Sequence, residues 1–131
     1  MTDENFSIIV NEGISRIPAR FRERIANVAF LIADLPTEAQ LHGNEIPSGG
    51  TLLGLYEGIP LTERGDVYGT GAVLPDTITI FKLPILDESH GDDNRLRAIV
   101  YDTVWHEVAH YFGYNDDEIE KREEAGTNHT L

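Results

Sequence analysis

Apolar residues recur at spacings of three and four over the first seventeen positions, at Phe6, Ile9, Val10, Gly13, Ile14 and Ile17. That period predicts an amphipathic helix. Pro18 ends it or bends the chain into a short second turn, PARFRERI. NVAFLIADL (27–35) follows, an apolar run rich in β-formers and too short for a helix, and reads as a buried strand. Residues 36–50, PTEAQLHGNEIPSGG, carry two prolines and three glycines and read as a loop with one helical turn. TLLGLYEGIPLT (51–62) has a strand pattern broken by Gly54 and Gly58, and the segment from 63 to 76 is loop. TITIFKL (77–83) alternates threonine with isoleucine, the period of a half-exposed strand, and Pro84 closes it. DESHGDDN (87–94) offers caps for a long helix to about Phe112, with a short final helix from near Asn115. The resulting fold class is α+β: a small mixed β-sheet packed against an N-terminal helix and a long late helix.

Composition narrows what such a fold can do. A length of 131 residues predicts one domain over 1–131. A chain of that size buries roughly two-thirds of its unfolded surface. Cysteine is absent, which removes disulfides, thiolate ligands and cysteine nucleophiles. Twenty-three acids against ten bases give a formal charge of −13. Nucleic acid and anionic membranes require a basic footprint, so neither is an expected partner. The opening MTDENFSIIVNEG is acidic and lacks a signal-peptide pattern, and the longest apolar run is Val28 to Ala33. These features predict a cytoplasmic protein with no membrane span.

The chemistry concentrates in WHEVAHYFGYNDDEIE, residues 105–120. Leu96, Ile99, Val100 and Thr103 form an inward stripe on the long helix, and its continuation passes through His106, Glu107 and His110. Imidazoles four residues apart lie one turn apart and can converge on one ion, an arrangement suited to tetrahedral Zn²⁺. Glu107 is turned ~100° around the axis from His106 and can reach a water beside the metal, the position a general base needs. A chance H-E-x-x-H arises in roughly one such chain in fifty; requiring Gly113 and Asp116 as well lowers this to about one in several thousand. Gly113 suits a left-handed helix end that turns the chain back, bringing residue 116 within reach of the metal. Asp117 and Glu120 compete with Asp116 as the oxygen ligand, and the acids there also suit a helix N-terminus.

H-E-x-x-H followed by glycine and a third ligand at this spacing resembles the zincin metallopeptidases. In metzincins the last position is histidine; a few secreted zincins have aspartate there, as this chain has at Asp116. TLLGLYEGIPLTERG, LPDTITIFKLPI and VWHEVAHYFGYNDDEI look like the sequence blocks of a family of small bacterial minimal zincins, in the same order, and the likeness runs from about residue 18 to residue 120. The resemblance implies a compact zincin core, one Zn²⁺ held by His106, His110 and Asp116, and Glu107 as the base that deprotonates the zinc-bound water for attack on a peptide carbonyl. It also implies that an edge strand before the motif helix pairs with extended substrate, with 77–83 as the expected strand.

Two departures bear on activity. The only methionine is Met1, so a Met-turn beneath the metal is missing, and Tyr111, Phe112 and Tyr114 are alternatives for the floor. There is no room for a second lobe, which leaves one wall to the cleft. Oxyanion stabilisation falls to one of Tyr101, Tyr114, His42, His90 or His129. The sequence thus supports a zinc-dependent peptidase acting on small or flexible peptides. Its alternative is a non-catalytic metal-binding or protein-interaction module on the same scaffold.

Overall fold

The computed structural model describes residues 1–59, 75–115, 117, 118 and 121. Helix α1 spans Asp3–Ser15, its N-terminus capped by the Thr2 hydroxyl, which accepts from the Asn5 amide. The expected stripe is the buried one: Phe6, Ile9, Val10 and Gly13 face inward, and Ile17 is 1% exposed just beyond. Pro18 caps the short helix α2, Ala19–Arg22, where its fixed φ and missing donor cost nothing. Strand β1 covers Val28–Ala33 and helix α3 Glu38–Gly43. Helix α3 is longer than the single turn expected, and its start is a reciprocal capping box between Thr37 and Gln40.

Strand β2 (Gly54–Glu57) and strand β3 (Asp76–Phe81) complete a mixed three-stranded sheet in the order β1-β3-β2. β1 runs parallel to β3, from Val28↔Asp76 to Ala33↔Phe81. β2 runs antiparallel to it, from Gly54↔Ile80 to Glu57↔Thr77. Three expectations are corrected here. Residues 77–83 are not an edge strand: β3 is the middle strand, flanked on both sides, so it has no free edge for substrate. Its threonines suggested a solvent face, yet Thr79 is 6% exposed because a hydroxyl can be covered once the sheet is packed. Among the described residues β1, read as buried, is an outer strand of the sheet, with Leu31 46% exposed.

The strand also stops earlier than expected. Helix α4, Lys82–Ser89, begins directly after Phe81, and Pro84 sits in its first turn, where amides have no intrahelical acceptor. Asp92 caps helix α5, Asp93–Tyr111, by accepting from the amides of Asn94 and Arg95. α5 packs against α1, α4, β2 and β3. Its apolar residues Leu96, Val100, Val104, Trp105 and Val108 join Phe6, Phe21, Ile78 and Ile80 in one cluster. Phe21 meets the Trp105 ring edge-on at 5.2 Å. Each large side chain so buried contributes about 1.5–3 kcal/mol. Among the described residues no helix is long and apolar enough to cross a membrane.

Candidate metal centre

The last two turns of α5 carry the motif, and helical geometry sorts its residues by depth. Thr103 and Glu107 continue the inward line from Leu96 and Val100 and are 7% exposed each. His106 and His110 lie together on one flank of that line and are half-buried, not fully inward as the stripe alone suggests. At ~100° per residue, His110 lies ~40° and Glu107 ~100° around the axis from His106, so Glu107 is the one of the three turned furthest toward the buried face.

The imidazole rings of His106 and His110 have centroids 4.9 Å apart and planes inclined at 72°. One donor atom from each of His106, Glu107 and His110 lies within 4.8 Å of the other two. Two imidazole nitrogens and a carboxylate oxygen, with no thiolate anywhere in the chain, form an N/O donor set suited to Zn²⁺. These side chains can hold a metal ion.

Strand β2 fixes the carboxylate from the other side. The Tyr56 amide donates to Glu107 Oε1 at 2.9 Å. The approach depends on Gly54: a Cβ there would stand 2.7 Å from Thr103 Cγ2, 3.2 Å from Glu107 Cγ and 3.3 Å from the Thr79 carbonyl oxygen. Any side chain at 54 would therefore push β2 off the helix. The glycine in TLLGLYEG, which breaks the strand pattern in the sequence, is a point of close contact between strand and helix. Beside His106 lies a cleft of about 320 Å³, with Thr51, Leu53 and Gly54 on one side and Asp102, His106 and Glu107 on the other.

The helix ends as the glycine predicts. Gly113 has φ 93°. Its amide donates to the His110 carbonyl at 2.9 Å, and the Tyr114 amide donates to that of Ala109 at 3.0 Å. That pair of bonds is the Schellman motif, which requires a left-handed residue at the turn. It reverses the chain within three residues of His110. Beyond it, Asn115 and Glu118 exchange amide-to-side-chain bonds of 3.2 and 2.9 Å, the reciprocal pattern of a helix start. Asp116, the expected third ligand, and its rival Glu120 lie outside the described residues, as does His129. Asp117 is exposed.

Of the other residues singled out, Tyr101 belongs to a different interface, its hydroxyl donating to Glu12 Oε2 on α1 at 2.9 Å. His42 is exposed on α3, and His90 is exposed at the left-handed end of α4 with φ 50°. Tyr111 is fully buried, and its hydroxyl accepts from the Ala26 amide at 3.2 Å, tying the end of α5 to the segment before β1. Tyr114 stays half-buried just past the turn. Sequence reasoning missed Tyr56, whose role rests on strand pairing with residues more than twenty positions away.

The family model described as zincin-like metallopeptidase matches residues 25–126, most of the chain. No curated protein matches it.

Proposed function

The chain belongs to the zincin-like metallopeptidase family, and on that footing we propose that it is a zinc-dependent peptidase with Glu107 as its general base. His106 and His110 hold the metal, and Asp116 supplies the third ligand. The observation that carries this reading is the division of roles along one helix. Two half-buried imidazoles lie together with His106 lining a cleft, while the carboxylate beside them is buried and tied to β2.

Zinc held there supplies Lewis acidity, making a water more acidic and drawing charge from a substrate carbonyl. Glu107 removes a proton from the attacking water as its oxygen bonds to the carbonyl carbon. It then returns a proton to the leaving amine nitrogen as the C–N bond breaks. The cleft has the volume of a small ligand pocket and suits a short extended segment more than a folded protein. Substrate cannot pair along β3; the segment Thr51–Gly54, facing the helix across the cleft, is the wall it meets.

A quenched-fluorescence peptide library, run with zinc-loaded protein, tests the reading. Glu107→Gln is expected to keep the metal and to lower hydrolysis by about 10²–10⁴-fold, the usual worth of a general base. An unchanged rate removes Glu107 from the mechanism. No cleavage of any peptide by the zinc-loaded wild type leaves a metal-binding module without turnover.

A further inference from the structure

Glu107 has two possible occupations. Its carboxylate oxygen lies in the same cluster as the two imidazoles, close enough to serve as a ligand. A carboxylate that ligates the metal gives up its lone pair and its freedom to act as a base. Something must therefore hold it back.

Strand β2 supplies the restraint. In an antiparallel pair, successive residues turn their amide and carbonyl alternately toward and away from the partner. The Phe81 amide donates to the Leu53 carbonyl, so residues 53, 55 and 57 face β3, and Gly54 and Tyr56 face away. The Tyr56 N–H therefore takes no part in the β2–β3 ladder. It points across to α5 and donates to Glu107 Oε1 at 2.9 Å. The strand is in turn fixed by the same residue's side chain: the Tyr56 hydroxyl donates at 2.7 Å to Oδ2 of Asp76, a carboxylate only 4% exposed at the start of β3. An amide on a strand pinned in this way is a stiff donor, and it draws one carboxylate oxygen into β2.

We propose that Tyr56, anchored by Asp76, is a positioning residue that keeps Glu107 as the general base by restraining it from joining the metal. This rests on the metallopeptidase reading for its consequence in catalysis, but the restraint itself is read without turnover.

The test replaces the Leu55–Tyr56 amide with an ester, using the hydroxy-acid counterpart of tyrosine, which deletes the donor, weakens the Leu55 carbonyl as an acceptor and leaves the phenol in place. Tyr56→Phe, which frees the ring from Asp76, is run beside it in case the ester variant does not fold. The probe is cobalt(II) alone, whose visible spectrum reports the number and kind of ligands. Wild type and Glu107→Gln are expected to share one spectrum. The ester variant is expected to change it and to bind cobalt several-fold more tightly, and Tyr56→Phe to move the same way by less. Both effects should vanish or nearly so in a Glu107→Gln background, because a neutral amide oxygen is a far weaker ligand than a carboxylate. Where peptides are cleaved, kcat of the ester variant should fall at least about tenfold with KM unchanged.

If the spectra of both variants match wild type, or if the change persists with Glu107→Gln, the positioning role is wrong. If the coupling to Glu107 appears but no peptide is ever cleaved, the restraint stands and the peptidase reading falls. If wild type binds neither cobalt nor zinc, both fall together.

Discussion

Helix α5 is pinned by two polar clusters of opposite construction. Near its N-terminal end, Glu12 of α1 meets Arg97 and accepts from the Tyr101 hydroxyl at 2.9 Å, with the Glu12 side chain 42% exposed. Near its C-terminal end, Glu107 is 7% exposed and held by a strand amide. The first cluster is an ordinary surface clamp, wet, screened by salt and replaceable. The second takes a carboxylate out of water, which is costly unless every hydrogen bond is met and which packing alone does not require. An apolar residue at 107 would serve the fold as well or better. On the proposed reading the buried acid serves chemistry, while the exposed one serves assembly.

Several substitutions sharpen or break this contrast. The widest gap is between matched amides: Glu107→Gln should cost about 10²–10⁴-fold in peptide hydrolysis, whereas Glu12→Gln should leave the rate unaltered. Equal losses from the two, in parallel assays, would erase the distinction between the clusters.

Next in size is Gly54→Ala. Its Cβ would press on Thr103, Glu107 and the β3 backbone at once. Urea unfolding should show a loss of about 1–3 kcal/mol, the usual cost of overpacking. A loss under a few tenths would mean that β2 does not approach the helix as closely as described.

The smallest effect concerns pH. The Tyr101 hydroxyl, then Arg97 and Arg16, hold the Glu12 carboxyl below its ordinary value against the opposing pull of desolvation. A carboxyl whose folded pKa is depressed contributes stability above its unfolded pKa. That contribution is lost as pH falls through the unfolded value to the lower folded one. Thermal melts across that acid range should show a slightly shallower fall for Glu12→Gln than for wild type, and the difference should shrink in high salt. Identical curves would mean that the α1–α5 clamp contributes nothing measurable.

What could be read from the sequence followed the same division between local and distant effects. The α1 stripe, the Asp92 cap, the helix carrying His106 and His110, and the Gly113 turn are set by residues three or four positions apart, and all were legible. The capping box of α3 was also written in Thr37 and Gln40, a signal that the prolines and glycines around it obscured. The break between β3 and α4 was hidden because proline ends a strand and opens a helix equally well. The position of β3 in the sheet was misread because alternating threonine suggests a wet face, whereas pairing on both sides is decided by segments far away in the chain. Tyr56 and Asp76 were out of reach for that reason. Both lie in the sequence blocks quoted above but outside the metal-ligand motif, and the bonds of Tyr56 to Asp76 and to Glu107 exist only once β2, β3 and α5 are assembled.

The most direct test is a calorimetric zinc titration of the chelator-stripped protein beside His110→Ala. One equivalent should bind to the wild type, and binding should be lost or weakened by at least about 100-fold without the imidazole. A wild type that takes up no zinc, or a His110→Ala variant that binds it equally well, would contradict a metal centre on this helix.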